Sequence, residues 1–94
     1  MSAISRVQRT KGENFINEAQ KTLKKSTWFA SSTEQKYEDA AELFEKGANA
    51  YKVGSLFNEA AKAYKDAADI HQNQLKNMGE ASKLLTNAGE FKTP

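Results

Sequence analysis

The chain has no cysteine and only one proline, one tryptophan and one histidine in its 94 residues. Without cysteine it can have neither a disulfide framework nor a thiolate metal site, which fits a reducing compartment. No apolar run approaches the roughly 18 residues that a membrane-spanning helix needs, and the N-terminus lacks the core of a signal peptide. We therefore expect a cytoplasmic protein whose contact with any membrane is peripheral.

Charge is unevenly distributed along the chain, although the formal net charge is only +2. Residues 1–25 carry six Lys/Arg against Glu13 and Glu18, a net charge of +4, and residues 26–94 carry eight against ten, a net charge of −2. The small total, and the absence of aromatics interleaved with the early basic residues, argue against a nucleic-acid-binding protein. The basic excess ends where the chain's only tryptophan occurs.

Sequence signals of catalysis are missing. The chain contains no glycine-rich phosphate loop, no nucleophile elbow and no metal-ligand spacing. Asp69 lies two residues from His71, and on a helix that spacing places the two side chains on different sides. We expect His71 to be a packed or rim residue, and we expect the protein to be neither an enzyme nor a carrier of a cofactor.

A repeat of about 20 residues is the strongest pattern in the chain. The segments YEDAAELFEKGANAYK, FNEAAKAYKDAADIHQ and MGEASKLLTNAGEFK begin at Tyr37, Phe57 and Met78. In this alignment a large residue recurs at Phe44, Tyr64 and Leu85 between pairs of small residues. The apolar positions follow α-helical spacing, and alternating large and small side chains let neighbouring helices approach closely.

The repeat predicts an all-α fold of tetratricopeptide-like antiparallel helical hairpins, an α-solenoid of about four helices. We expect one domain over residues 1–94, with helices at about 3–25, 33–53, 56–75 and 78–91. Gly12 is expected to be a weak point of the first helix, whose inward residues are predicted to be Ile4, Val7, Phe15, Ile16, Ala19 and Leu23. In the last helix, Leu84, Leu85 and Phe91 are expected to need a further helix as a neighbour.

Helix boundaries are also marked in the sequence. Ser31 or Ser32 is expected to cap the second helix. Gly54 and Ser55 are expected to end that helix and open the third, and Asn77 with Glu80 to open the fourth.

Trp28 and Phe29 lie in a serine-rich gap that no hydrophobic periodicity claims. Two interpretations are open from the residues alone. The two rings could fold back over the end of the first helix and complete the core, or they could be an exposed aromatic pair beside basic charge that contacts a membrane.

The ordered series of motifs resembles a known family. The segments AAELFEKGANAYK, AAKAYKDAADIH and ASKLLTNAGEFK, in this order and after an aromatic gap, resemble the N-terminal part of the soluble NSF attachment proteins (SNAPs). The resemblance covers Leu23 to Lys92 and is closer to the alpha type than to the gamma type. Members of the family are adaptors of vesicle-mediated transport, including transport between the endoplasmic reticulum and the Golgi. They coat a SNARE complex and recruit the NSF-type ATPase, and they have no active site of their own.

In that family the loop after the first helix attaches to membranes, so the resemblance implies a membrane-contact loop at Trp28 and Phe29, supported by Lys24 and Lys25. The alpha-type loop usually carries glycines and a further apolar pair, whereas ASSTEQ follows here, so shallower insertion is expected. Because the family continues through more hairpins, we expect this chain to be a fragment or a truncated relative without the surface that engages the ATPase. The alternative function is a tetratricopeptide-like interaction module with no membrane role.

Overall fold

A computed structural model of the protein describes residues 2–25 and 30–90. They form four helices: α1 (Ala3–Lys24), α2 (Ala30–Val53), α3 (Phe57–Asn73) and α4 (Met78–Glu90). Each helix packs mainly against its neighbours in sequence, so α1 and α4 lie at the two edges of a flat stack of 45 × 25 × 12 Å. The predicted all-α architecture of stacked helical hairpins is confirmed.

The helices α1 and α2 are antiparallel and cross at very short range. A Cβ atom built on Gly12 would lie 2.6 Å from Cε1 of Tyr51, and one built on Gly54 would lie 2.8 Å from Cβ of Gln8. At the other end of the pair, Nζ of Lys36 donates to the carbonyl oxygen of Lys25 at 3.5 Å. The expectation that Gly12 is a weak point of α1 is therefore wrong, because this glycine is buried and permits the close approach of the two helices.

The core consists mostly of alanines arranged around a few large side chains. In α2 and α3 both small pairs of the repeat are buried, as are Phe44 and Tyr64 between them. The hydroxyl of Tyr64 donates to Oδ1 of Asn49 on the neighbouring helix. Most apolar positions of these two central helices are buried because each helix has a neighbour on both sides, although Phe57 at the start of α3 is 44% exposed.

The last helix does not follow the predicted register. Leu84 is completely buried, whereas Leu85 is 43% exposed, so Leu84 needs no further helix as a neighbour. A constant spacing of 20 residues aligns Phe44 and Tyr64 with Leu84, and all three are buried. The alignment of Leu85 with Phe44 and Tyr64 is therefore wrong by one residue. Phe91 lies outside the described residues.

Two of the predicted inward residues of α1 are exposed. Ile4 is 66% and Val7 63% exposed, while Ala19 is buried and Phe15, Ile16 and Leu23 are half-buried. Among the described helices, α2 is the one packed closely against α1, so only a narrow stripe of α1 is covered by this part of the chain.

The helix boundaries follow the sequence signals only in part. α2 begins at Ala30, about three residues earlier than predicted, so Ser31 and Ser32 lie within its first turn and do not precede it. At the next turn the left-handed residue is Ser55, with φ 61°, and no hydrogen bond from a side chain caps α3. The prediction for α4 is correct: Oδ1 of Asn77 accepts a hydrogen bond from the backbone N–H of Glu80 at 3.2 Å.

Candidate functional site

One end of the helix stack carries the lysines that the sequence associates with membrane contact. We call it the lysine end and define it as residues 21–25 of α1, residues 33–37 of α2 and the α3–α4 turn at residues 74–77. The antiparallel order of the helices brings these three segments together. Lys24 and Lys25 are exposed here, whereas Trp28 and Phe29 lie outside the described residues.

Contacts between the segments fix the lysine end. Nζ of Lys36, which donates to the carbonyl oxygen of Lys25, also lies 5.1 Å from the centre of the Tyr37 ring. Tyr37 in turn lines a surface depression of about 420 Å³ that the start of α2 shares with the α3–α4 turn; its other lining residues are Thr33, Glu34, Gln74 and Leu75. The end of α1 and the α3–α4 turn are therefore held on opposite sides of the same α2 segment.

The opposite end of the stack exposes aliphatic and aromatic side chains. We call it the apolar end and define it as the start of α1 with the α2–α3 turn; its exposed apolar residues are Ile4, Val7, Val53 and Phe57. The hydroxyl of Ser5 donates to the carbonyl oxygen of Gly54 at 2.9 Å, which joins the two segments. Sequence reasoning missed this surface because it assigned Ile4 and Val7 to the interior.

A small groove of about 180 Å³ lies between α1, α2 and α3, lined by Ile16, Gln20, Tyr51, Glu59, Lys62, Ala63 and Asp66. The guanidinium of Arg9 lies 3.3 Å from the carboxylate of Glu59 and so connects α1 to α3. Burial raises the pKa of the Tyr51 hydroxyl, and the nearby carboxylates of Glu13 and Glu59 raise it further. A tyrosine hydroxyl with its ordinary pKa of about 10 is already protonated at neutral pH, so the shift leaves Tyr51 a hydrogen-bond donor there.

Burial also raises the pKa of the Asp66 carboxyl, and the carboxylate of Asp69 adds to the shift while Lys62 and Lys65 oppose it. The folded protein therefore holds this proton more tightly than the unfolded chain does, and ionisation of Asp66 destabilises the fold. We expect Asp66→Asn to raise the free energy of unfolding at pH 7. The advantage should shrink as the pH falls through the raised pKa towards the unfolded value of about 3.9. Urea titrations of both proteins across this range check the prediction, and a difference independent of pH would contradict it.

The described residues give no sign of a metal site or a membrane span. Within residues 2–25 and 30–90, no cluster of three His, Cys, Asp or Glu side chains could hold a metal ion. None of the helices in the same ranges combines the length and the hydropathy needed to cross a bilayer. His71 is half-buried in α3, as expected for a packed histidine.

Comparison with known proteins identifies the fold family. The profile of the family described as "Soluble NSF attachment protein, SNAP" matches residues 10–93. The chain is 32% identical over 74 residues to a protein of Neurospora crassa described as "Probable vesicular-fusion protein sec17 homolog". The matched region is 76% of this chain and 25% of that protein, so the chain spans about a quarter of the relative's length. No solved structure matches significantly. Because the family profile covers most of the chain, the protein belongs to the soluble NSF attachment protein (SNAP) family.

Proposed function

We propose that the chain acts as an adaptor in vesicle fusion and contacts a membrane at the lysine end through Trp28 and Phe29. The observation that carries the proposal is the family match over residues 10–93, taken with the exposure of Lys24 and Lys25, which Ser26 and Thr27 separate from the aromatic pair. The relative from Neurospora crassa is described as a vesicular-fusion protein, and this supports the same process for this chain.

An adaptor of this kind works by holding partners, so its function depends on its surfaces. We assign it a SNARE complex as the protein partner, peripheral attachment to the cytoplasmic face of a membrane, and no enzymatic reaction. Recruitment of an NSF-type ATPase belongs to the same proposal. The helix stack supports this role because its two ends differ chemically: the lysine end exposes basic side chains and the apolar end exposes aliphatic and aromatic ones.

Membrane contact through two rings should be weak and reversible. Burial of each ring is worth about 1.5–3 kcal/mol, and each lysine close to an anionic surface adds about 1 kcal/mol. Part of this is offset by the loss of freedom on binding. Several copies on one SNARE complex would bind much more tightly, because linked contacts raise the effective concentration.

Replacement of both rings tests the membrane contact. We expect Trp28→Ser with Phe29→Ser to reduce co-flotation with phosphatidylserine-containing vesicles by about tenfold or more, since each ring contributes over a kcal/mol. Helicity measured by circular dichroism should not change, because rings that contact a membrane would contribute little to the packing of the helices. Vesicle flotation of the whole chain measures the effect.

A matched control removes two exposed apolar side chains from the other end of the stack. Ile4→Ser with Val53→Ser deletes side chains that are 66% and 64% exposed and should leave flotation unchanged. Unchanged flotation of the ring variant would favour the interpretation in which Trp28 and Phe29 complete the core. Equal losses in both double variants would show that apolar surface anywhere on the protein suffices. If the parent chain binds neither vesicles nor an assembled SNARE bundle in a pull-down, the interaction module without a membrane role is the better interpretation.

A further inference from the structure

The α3–α4 turn presents a lysine in a backbone conformation that lysine does not favour. Lys76 has a φ angle of 56°, which lies in the left-handed region. A residue with this conformation at the end of a helix is usually glycine or asparagine. Hydrogen bonds define the turn: the N–H groups of Gln74 and Leu75 donate to the carbonyl oxygen of Ile70, and that of Asn77 donates to the carbonyl oxygen of His71. A glycine at this position would close the helix without the strain that a Cβ atom adds.

The residues on both sides of Lys76 are anchored. Leu75 is partly buried and packs against the core, and Asn77 caps α4 through its side chain. Lys76 lies between these two anchors and is itself exposed. The turn therefore holds a cationic side chain in solvent at a fixed place on the protein surface.

Lys76 makes no ion pair with any of the described residues. Ion pairs among the described residues include Arg9 with Glu59 between α1 and α3, and Lys46 with Glu42 along α2, both away from this turn. The described part of the lysine end contains one acid, Glu34, and three more acids lie directly beyond it, Glu38 and Asp39 on α2 and Glu80 on α4. The lysine end contains five lysines, of which Lys36 is half-buried and the others, at 21, 24, 25 and 76, are exposed. The lysine end therefore carries net positive charge.

The fold brings Lys76 to the same end of the stack as Lys24 and Lys25, although about 50 residues separate them in sequence. Leu75, next to Lys76, shares a surface depression with Tyr37 of α2, and the Lys36 side chain connects that segment of α2 to Lys25. Cations thus stand on both sides of the start of α2. Positive charge at two separated points restricts the tilt of this end against a planar anionic surface more than the same charge at one point would.

We propose that Lys76 is a second contact for anionic lipid headgroups, on the α3–α4 side of the lysine end. The inference rests on the proposed membrane attachment of the same end and adds a residue that belongs to a different hairpin from Lys24 and Lys25. A bilayer that carries phosphatidylserine is the partner that fits, because a basic residue near such a surface is attracted without a shaped pocket.

Lys76→Gly tests the proposal because its two expected effects have opposite signs. Glycine relieves the left-handed strain, so the thermal midpoint should rise. Loss of the charge should weaken partitioning onto phosphatidylcholine vesicles containing phosphatidylserine by about fivefold, the factor that corresponds to roughly 1 kcal/mol per basic residue. Partitioning onto vesicles of phosphatidylcholine alone should not change. Both measurements use the whole chain.

Three further variants separate charge from strain and position. Ser55→Gly relieves the other left-handed residue, at the opposite end of the stack, and should raise the midpoint without affecting vesicle binding. Lys76→Gln keeps the strain and removes the charge. Its partitioning onto phosphatidylserine-containing vesicles should therefore fall by the same factor of about five, while its thermal midpoint should not rise. Lys11→Gln removes an exposed lysine of α1 away from the lysine end and should bind as the parent does.

The proposal is overturned if both Lys76 variants bind as the parent does, or if Lys11→Gln loses as much as they do. Parallel measurement of the Trp28→Ser, Phe29→Ser variant keeps the two proposals distinguishable. Loss of binding in the ring variant alone would support the aromatic contact and overturn the role of Lys76. Loss in the Lys76 variants alone would support Lys76 and overturn the aromatic contact. If the Lys76 variants lose only SNARE binding in a pull-down, the side chain serves a protein partner and the lipid contact is wrong.

Discussion

Leu84→Ala is expected to lower the free energy of unfolding by about 2–5 kcal/mol, the usual cost of truncating a buried leucine. Leu84 is completely buried, and with Tyr64 it is one of the two largest fully buried side chains. The alanines Ala81 and Ala88, which flank Leu84 on the same stripe of α4, are too small to fill the cavity. Since small domains are stable by only about 5–15 kcal/mol in total, this loss should be visible as a large shift of the urea midpoint.

Leu85→Ala is the matched control, because it makes the same change one residue along the same helix. Leu85 is 43% exposed, so its truncation removes little buried surface, and we expect it to cost less than about 1 kcal/mol. The pair tests the register of α4 directly. Equal costs for the two variants, or a larger cost at Leu85, would contradict the arrangement in which Leu84 continues the series of Phe44 and Tyr64.

Gly12→Ala is expected to destabilise the protein, although alanine is the better helix former. The exchange in the middle of a helix normally favours folding by about 1 kcal/mol. Here the added Cβ would lie within 3 Å of three ring atoms of Tyr51, which is 7% exposed and has little room to move. Overpacking of this kind costs about 1–3 kcal/mol, so we expect a net loss of up to about 2 kcal/mol.

Gly79→Ala is the control for Gly12→Ala. The nearest atom to a Cβ built on Gly79 is Oδ1 of Asn77, at 3.9 Å, so the new methyl group fits without displacing anything. Alanine at this position should stabilise the protein by about 0.5–1 kcal/mol. Thermal and urea unfolding of both variants give the comparison. If Gly12→Ala is as stable as the parent or more stable, then α1 and α2 do not meet at the distance described here.

Both predictions concern the scaffold on which the proposed contacts depend. Lys24 and Lys25 are positioned by the packing of α1 on α2, and Lys76 by the packing of α3 against α2 and α4. A variant that loosens the α1–α2 crossing at Gly12 should therefore weaken vesicle binding indirectly. For this reason the binding experiments use Lys76→Gln and Ser55→Gly, which leave the buried residues unchanged.

The burial predicted from the sequence agrees best with the structure where the helical periodicity of apolar residues is strongest. The alanine pairs and central aromatics of α2 and α3 repeat at helical spacing, and these helices bury what the repeat predicts. The pattern is readable because a helix with neighbours on two sides must be apolar along two edges. Asn77 was also readable as a cap, since its side chain bonds to the backbone only three residues away.

The residues at the edges of the stack differ from what the sequence pattern predicts. Ile4 and Val7 fit an inward stripe, yet α1 has a close neighbour on only one side and leaves them exposed. A repeat alignment cannot choose between Leu84 and Leu85, because both are leucines and the spacing between repeats is uncertain by one residue. The packing of α4 on α3 decides the choice.

The sequence by itself determined the helical class, the 20-residue repeat, the family resemblance and the candidate pair at Trp28 and Phe29, since all of these follow from local residue patterns. The tertiary structure decided which side chains meet: Gly12 against Tyr51, Leu84 in place of Leu85, and Lys76 at the same end as Lys24 and Lys25. The physical reason is that these relations depend on how helices cross and where turns return the chain. Such contacts between distant segments have no periodic signature in the sequence.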